Sequence, residues 1–141
     1  MERVETKYLK RIINEVMKHE GSQDPVLVSE LSKLVPLTDR EIRRAVSYLV
    51  NKEFYPFGSR SKLPAGFFRI MDVDDFLEAV SNLDPRSRKI KERALNLAKA
   101  CRQNNIDIPE IHVSKYQDKS KIIVHINNSV VFIGNEKQII K

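Results

Sequence analysis

The sequence has one cysteine, no long apolar run and no grouped metal-ligating side chains, and each shortage closes off a class of protein. A lone Cys101 cannot build an internal disulfide framework, and without a Cys pair at metal spacing no zinc-finger arrangement is available. Cys101 reads as a small buried hydrophobe on a helix rather than a reactive thiol. No apolar stretch reaches the ~18 residues that a membrane span needs, and the opening MERVETKYLK is charged where a signal peptide carries an apolar segment. The expectation is an intracellular, cytoplasmic protein. His19, His112 and His125 stand far apart in the sequence, with no ligand partners at helical or hairpin spacing. The segment GSRSK lacks the preceding strand-to-helix turn of a Walker loop. Asp74 and Asp75 fall in the first turn of a predicted helix, where acids suit the helix dipole. With no nucleophile, acid pair or metal cluster in view, the expectation is a non-enzyme with no metal and no cofactor.

What is present is a chain of 141 residues, 41% hydrophobic and 31% charged, enough for one folded domain plus an appendage. Apolar pairs at helical spacing (Tyr8 and Leu9, Ile12 and Ile13, Val16 and Met17) predict a first helix over about residues 5–19. VLVSELSKLV, with Leu27, Leu31 and Leu34 on one face, predicts a short second helix of about two turns. Thr38 and Glu41 form a capping-box pattern that opens a third helix, running to about Asn51. YPFGSRSKLPAGFFRI then predicts a hairpin, with strands over 54–57 and 67–70 and a wide tip between Gly58 and Gly66. Asp72 caps a fourth helix whose stripe is Phe76, Leu77, Val80 and Leu83, and Pro85 starts a fifth that reaches about Arg102. IHVSKY, KIIVHI and VVFI predict three short strands at the end of the chain.

A short helix, a tight turn, a capped helix and an immediate hairpin follow one another in the order of a winged helix-turn-helix. The expected fold is therefore α+β: a winged helix-turn-helix over 1–84 (three helices plus a β-hairpin wing, with the fourth helix), a basic helix over 85–105, and a small C-terminal β-strand region over 106–141. At 100° per residue, Ile42, Ala45, Val46 and Leu49 share one side of the third helix. Arg40, Arg44, Ser47 and Asn51 share the other, with Arg43 at its edge. In a helix-turn-helix that outer side lies in the major groove of DNA, where Arg can donate twice to guanine and Asn or Ser can bond bases or phosphates. On the hairpin, Ser59, Arg60 and Lys62 are candidate contacts to an adjacent groove or phosphate strand. From Arg40 to Arg69 seven cations meet two acids, a local net of +5 within a chain of net +6, and an anionic partner would offset their mutual repulsion. Phe57, Phe67 and Phe68 leave open a rival reading in which single-stranded bases stack on the hairpin.

The fifth helix carries seven cations against Glu92. Arg86, Lys89 and Arg93 share one flank, which either touches the DNA backbone or solvates a helix packed on its other side. Its apolar ladder, Ile90, Ala94, Leu97 and Cys101, fits either a homodimer seam or packing against the first helix. The terminal strands could serve dimerisation, ligand sensing or a protein partner.

From Leu27 to Arg93 the chain resembles the small winged-helix proteins of bacteriophages, prophages and other mobile elements. The resemblance is carried by VSELSKLV, TDREIRRAVSYLVNK, PFGSRSKLPAGFFRI and DVDDFLEAVSNLDPRSRKIKERA. Pro56, Gly58 and Ser59 open the wing, Gly66 and Phe67 close it, and Arg86, Ser87 and Arg88 start a basic helix. LPA lengthens the wing, and the β tail lies outside the resemblance. It implies duplex DNA binding, with transcription regulators and replication-associated factors among proteins of this type. The function expected is sequence-specific double-stranded DNA binding by a transcriptional regulator. The alternative is a protein-interaction or replication-associated module that takes an acidic partner or single-stranded DNA.

Overall fold

The computed structural model describes residues 4–84, 88–115, 122–126 and 129–133. Among these residues the protein is α+β, with helices α1 (Thr6–Met17), α2 (Val28–Ser32), α3 (Asp39–Asn51), α4 (Val73–Ser81) and α5 (Ile90–Gln103). A hairpin of β1 (Phe57–Arg60) and β2 (Gly66–Arg69) lies between α3 and α4, and an antiparallel sheet β3–β4–β5 (Ile111–Lys115, Ile122–Ile126, Ser129–Ile133) follows α5. The order of the first seven elements is compatible with a winged helix.

The apolar spacing of α1 buries Ile12 and Val16 and lays Tyr8, Leu9, Ile13 and Met17 against the same core. Beyond α1 the chain runs along the free edge of β2. Arg69 N–H donates to the His19 carbonyl at 2.7 Å, Gly21 N–H donates to the Arg69 carbonyl at 2.8 Å, and Val26 and Phe67 exchange bonds at 2.8 and 2.9 Å. Backbone donors that a two-stranded hairpin leaves open are thereby satisfied. The approach is so close at Gly66, where φ is +137°, that any side chain would run into the Val26 carbonyl.

Thr38 caps α3 as its sequence predicts. Glu41 N–H donates to Thr38 Oγ1 at 3.2 Å and Thr38 N–H donates to Glu41 Oε1 at 3.0 Å. Ile42, Ala45, Val46, Leu49 and Val50 are buried, so the inner face is the one the helical spacing selects. After α3 the expected strand over 54–57 is displaced. Phe54 takes a left-handed conformation (φ 58°), Tyr55 N–H turns back to the Leu49 carbonyl, and pairing starts at Phe57. Strand pairing consequently extends through Gly58, Ser59 and Arg60, leaving a tip of only Ser61–Ala65.

Asp72 caps α4, accepting from Asp75 N–H at 2.9 Å. Asp75 does more than suit the helix dipole. Its buried carboxylate accepts from Ser22 N–H at 3.0 Å and Met71 N–H at 2.9 Å, pinning the α1–α2 connection to the start of α4. On the next face of α4, Phe76, Leu77, Ala79 and Val80 are buried.

The ladder of α5 does not form a seam open to a second copy, and its main packing partners are α3, α4 and β3 rather than the expected α1. Ile90, Ala94, Leu97, Ala98 and Cys101 are buried within the chain against α3 and α4. Desolvation pushes the Cys101 thiol up to about 12, in keeping with its reading as a core residue. Two polar contacts lock the helix to the turn after α3: Asn104 Nδ2 donates to the Phe54 carbonyl at 3.0 Å, and Lys99 Nζ lies 4.4 Å from the Phe54 ring centroid. At its far end Arg102 donates to the Ile108 and Pro109 carbonyls, and Ile108, Ile111 and Val113 join the common core. No helix among the described residues is long and apolar enough to cross a membrane.

Candidate functional site

On the first two turns of α3, Ile42 and Ala45 face the core and Arg40, Arg43 and Arg44 are all exposed on the outer side. Hydrogen bonding from the Thr38 backbone N–H, and next from the Thr38 side chain, holds the Glu41 carboxyl below its usual value, so it stays ionised beside these arginines. The last turn of the same face is organised differently. Asn51 Nδ2 donates to the Ser47 carbonyl at 2.9 Å and to Ser47 Oγ at 3.2 Å, while Asn51 Oδ1 accepts from Asn96 of α5 at 3.2 Å. Asn51, expected to reach a ligand, therefore joins α3 to α5, and Ser47, expected beside it, accepts from Asn51 within α3. The helical wheel places all five residues together because it carries no information about a helix that begins 39 residues after Asn51.

A similar division separates the hairpin cations. Lys62 stands exposed on the tip. Arg60, expected beside it, belongs to paired strand β1 and its side chain is only 14% exposed. Its Nε lies 3.4 Å from Glu78 Oε1, an ion-pair distance without hydrogen-bond alignment. Nη1 donates to the Ser22 carbonyl at 3.1 Å and Nη2 to the Leu63 carbonyl at 3.3 Å. Arg60 thus braces the hairpin against the α1–α2 connection and α4, and is not a free cation for a ligand. Ser59 Oγ likewise accepts from Asn82 Nδ2 at 2.8 Å. Ser61 at the tip donates to Asn82 Oδ1, so Asn82 bridges α4 to the hairpin.

On α5, Lys89 is exposed and Arg93 half-buried; Arg86 lies outside the described residues. Lys89 and Arg93 face Arg44 and Lys52 across an open groove between α5 and α3, with Glu92 the acid on its wall. The packing of α5 thus adds a second row of cations beside the exposed turns of α3. Neighbouring positive groups in a concave surface reinforce one another's field.

The aromatic rings do not offer a stacking platform. Phe57, Phe67 and Phe68 are 2%, 6% and 0% exposed, which removes the basis for stacking single-stranded bases on the hairpin. The histidines depart from their expected isolation. His112 and His125 are register partners on β3 and β4 and share a sheet face, a pairing that hairpin register creates and sequence separation conceals. Among the described residues no group of three or more His, Cys, Asp and Glu side chains could hold a metal ion. No protein-family model, curated protein or solved structure matches the chain.

Proposed function

We propose that this chain is a sequence-specific double-stranded DNA-binding protein, a winged helix-turn-helix regulator of transcription of the phage or mobile-element type. In this reading α2 and α3 are the helix-turn-helix and β1–β2 is the wing. The observation that carries it is the group of exposed arginines, Arg40, Arg43 and Arg44, on the first two turns of a capped helix. In helix-turn-helix docking it is the N-terminal part of the second helix that meets base edges, and a guanidinium can donate in a fork to N7 and O6 of guanine. Support for backbone grip comes from Lys62 at the hairpin tip and from Lys52, Lys89 and Arg93 along the α3–α5 groove. Phosphate contacts set orientation and carry no sequence information, so the two groups divide reading from grip.

The reading is tested with labelled mixed-sequence duplexes titrated across salt concentrations. Neutralising about four phosphates predicts that log K falls with log salt at a slope of about −3.6. Absence of duplex binding even at low salt would overturn the proposal.

A further inference from the structure

Between α3, the hairpin, α4 and α5 lies a hollow of about 210 Å³ whose apolar lining the proposed duplex contacts do not use. Its floor is apolar, formed by Val46, Phe57, Phe67 and Leu97, and its mouth carries Arg43 and Arg93. Of the other polar groups that line it, Asn51 donates to Ser47 and accepts from Asn96, and the Ser47 and Ser59 hydroxyl oxygens accept from Asn51 and Asn82. Among the described residues neither the Arg43 nor the Arg93 guanidinium has a side-chain hydrogen bond or ion pair. Two cations with unmet donors thus stand over an apolar recess.

Size and chemistry together restrict the occupant. A dry apolar cavity of about 150 Å³ is enough for a benzene ring. The hollow is somewhat larger, so one ring and one small polar substituent fit it. A guanidinium best matches a planar carboxylate, which it can meet with two parallel bonds. A naked inorganic anion would leave the apolar floor uncovered, and a neutral ring would leave the guanidiniums without an acceptor. We propose that this hollow is a binding site for monocyclic aromatic carboxylates, with the ring on the Val46–Phe57–Phe67–Leu97 floor and the carboxylate held by Arg43 and Arg93.

The site deepens the DNA-binding reading and, in its consequence for DNA, rests on it. Arg43 belongs both to the exposed turns of α3 and to the mouth of the hollow. A carboxylate that engages Arg43 withdraws it from the major groove, so the ligand acts against duplex binding. Occupancy and DNA affinity are then linked reciprocally.

The test has an arm without DNA. Benzoate and phenylacetate are titrated into the full chain and followed by amide chemical shifts, with benzyl alcohol and inorganic phosphate in parallel. Expected is saturable binding of the two carboxylates with a dissociation constant on the order of 1 mM or tighter, as suits ligands of about ten heavy atoms. Shifts should centre on α3, the hairpin and α5, with the two control compounds at least about tenfold weaker. Arg43→Gln and Arg93→Gln should each weaken benzoate about tenfold, with Arg43→Lys and Arg93→Lys recovering part of the loss. The spectra themselves report whether each variant is folded. Non-saturating shifts, equal binding of benzyl alcohol, or benzoate binding unchanged in both Gln variants would overturn the site. In the second arm, saturating benzoate should weaken duplex affinity about tenfold. Absence of any duplex binding by the free protein counts against the proposed function alone, since the first arm contains no DNA.

Discussion

The first two turns of α3 and its last turn present residues of similar polarity on one helical face, yet their surroundings differ. Arg40, Arg43 and Arg44 are exposed, whereas Ser47 and Asn51 are tied to each other and, through Asn96, to α5. The hairpin repeats the contrast two residues apart: Arg60 is folded onto Glu78 and the Ser22 carbonyl, and Lys62 stands clear. Position on a helix face or hairpin identifies a candidate. What decides its role is whether a distant segment arrives to satisfy it.

Substitutions at the two kinds of position should separate losses of stability from losses of binding. The largest loss of stability is expected at Arg60. Arg60→Ala leaves the Glu78 carboxylate, 21% exposed, and the Ser22 carbonyl without their partner. A loss of about 2 kcal/mol is predicted in urea unfolding, between the cost of breaking a buried pair and the small worth of an exposed one. Next is Asn51→Ala, which removes the bonds to Ser47 and Asn96 and should cost about 1.5 kcal/mol by the same measurement.

Thr38→Ala should cost about 1 kcal/mol, the usual worth of an N-cap. It should also reduce the acid sensitivity of α3. Glu41 has a lowered pKa in the folded state, so its stabilising contribution is present above its unfolded value and is lost as pH falls through the folded one. Circular dichroism of wild type and Thr38→Ala from neutral to strongly acidic pH would show this, with the Glu41 component reduced in the variant but not abolished, because the backbone N–H at position 38 still donates to the carboxylate. The smallest effect on stability is expected at Lys62. Lys62→Ala should stay within about 0.5 kcal/mol of wild type, while binding to all duplexes weakens similarly and the salt slope becomes shallower by about 0.9.

The parts of this arrangement that were legible in the sequence are the local ones. Thr38 and Glu41 lie three residues apart and interact directly, so their pattern identifies the start of α3 without any tertiary information. The same holds for Asp72 at the head of α4 and for the buried face through Ile42, Ala45, Val46 and Leu49. Strand limits in the hairpin were less legible. Phe54 has strong strand propensity, but the chain needs a left-handed residue there to turn from α3, and Asn104 and Lys99 of the α5 region hold it in place. Pairing therefore begins later and draws Arg60 out of the tip. Its burial depends on Ser22 and Glu78, which lie 38 and 18 positions away, and no spacing rule reaches them. The register partnership of His112 with His125 is of the same nonlocal kind.

In the proposed regulator, base reading belongs to the exposed turns of α3, and the last turn of that helix is structural. Selection of bound duplexes from a random library, run in parallel on wild type, Arg44→Ala and Asn51→Ala under conditions where each is folded, tests it most directly. Expected are an enriched sequence for wild type, the same sequence for Asn51→Ala, and loss of preference at one base position for Arg44→Ala, worth about 1–3 kcal/mol of discrimination. No enriched sequence for wild type, or a changed preference in Asn51→Ala with Arg44→Ala unaltered, would contradict it.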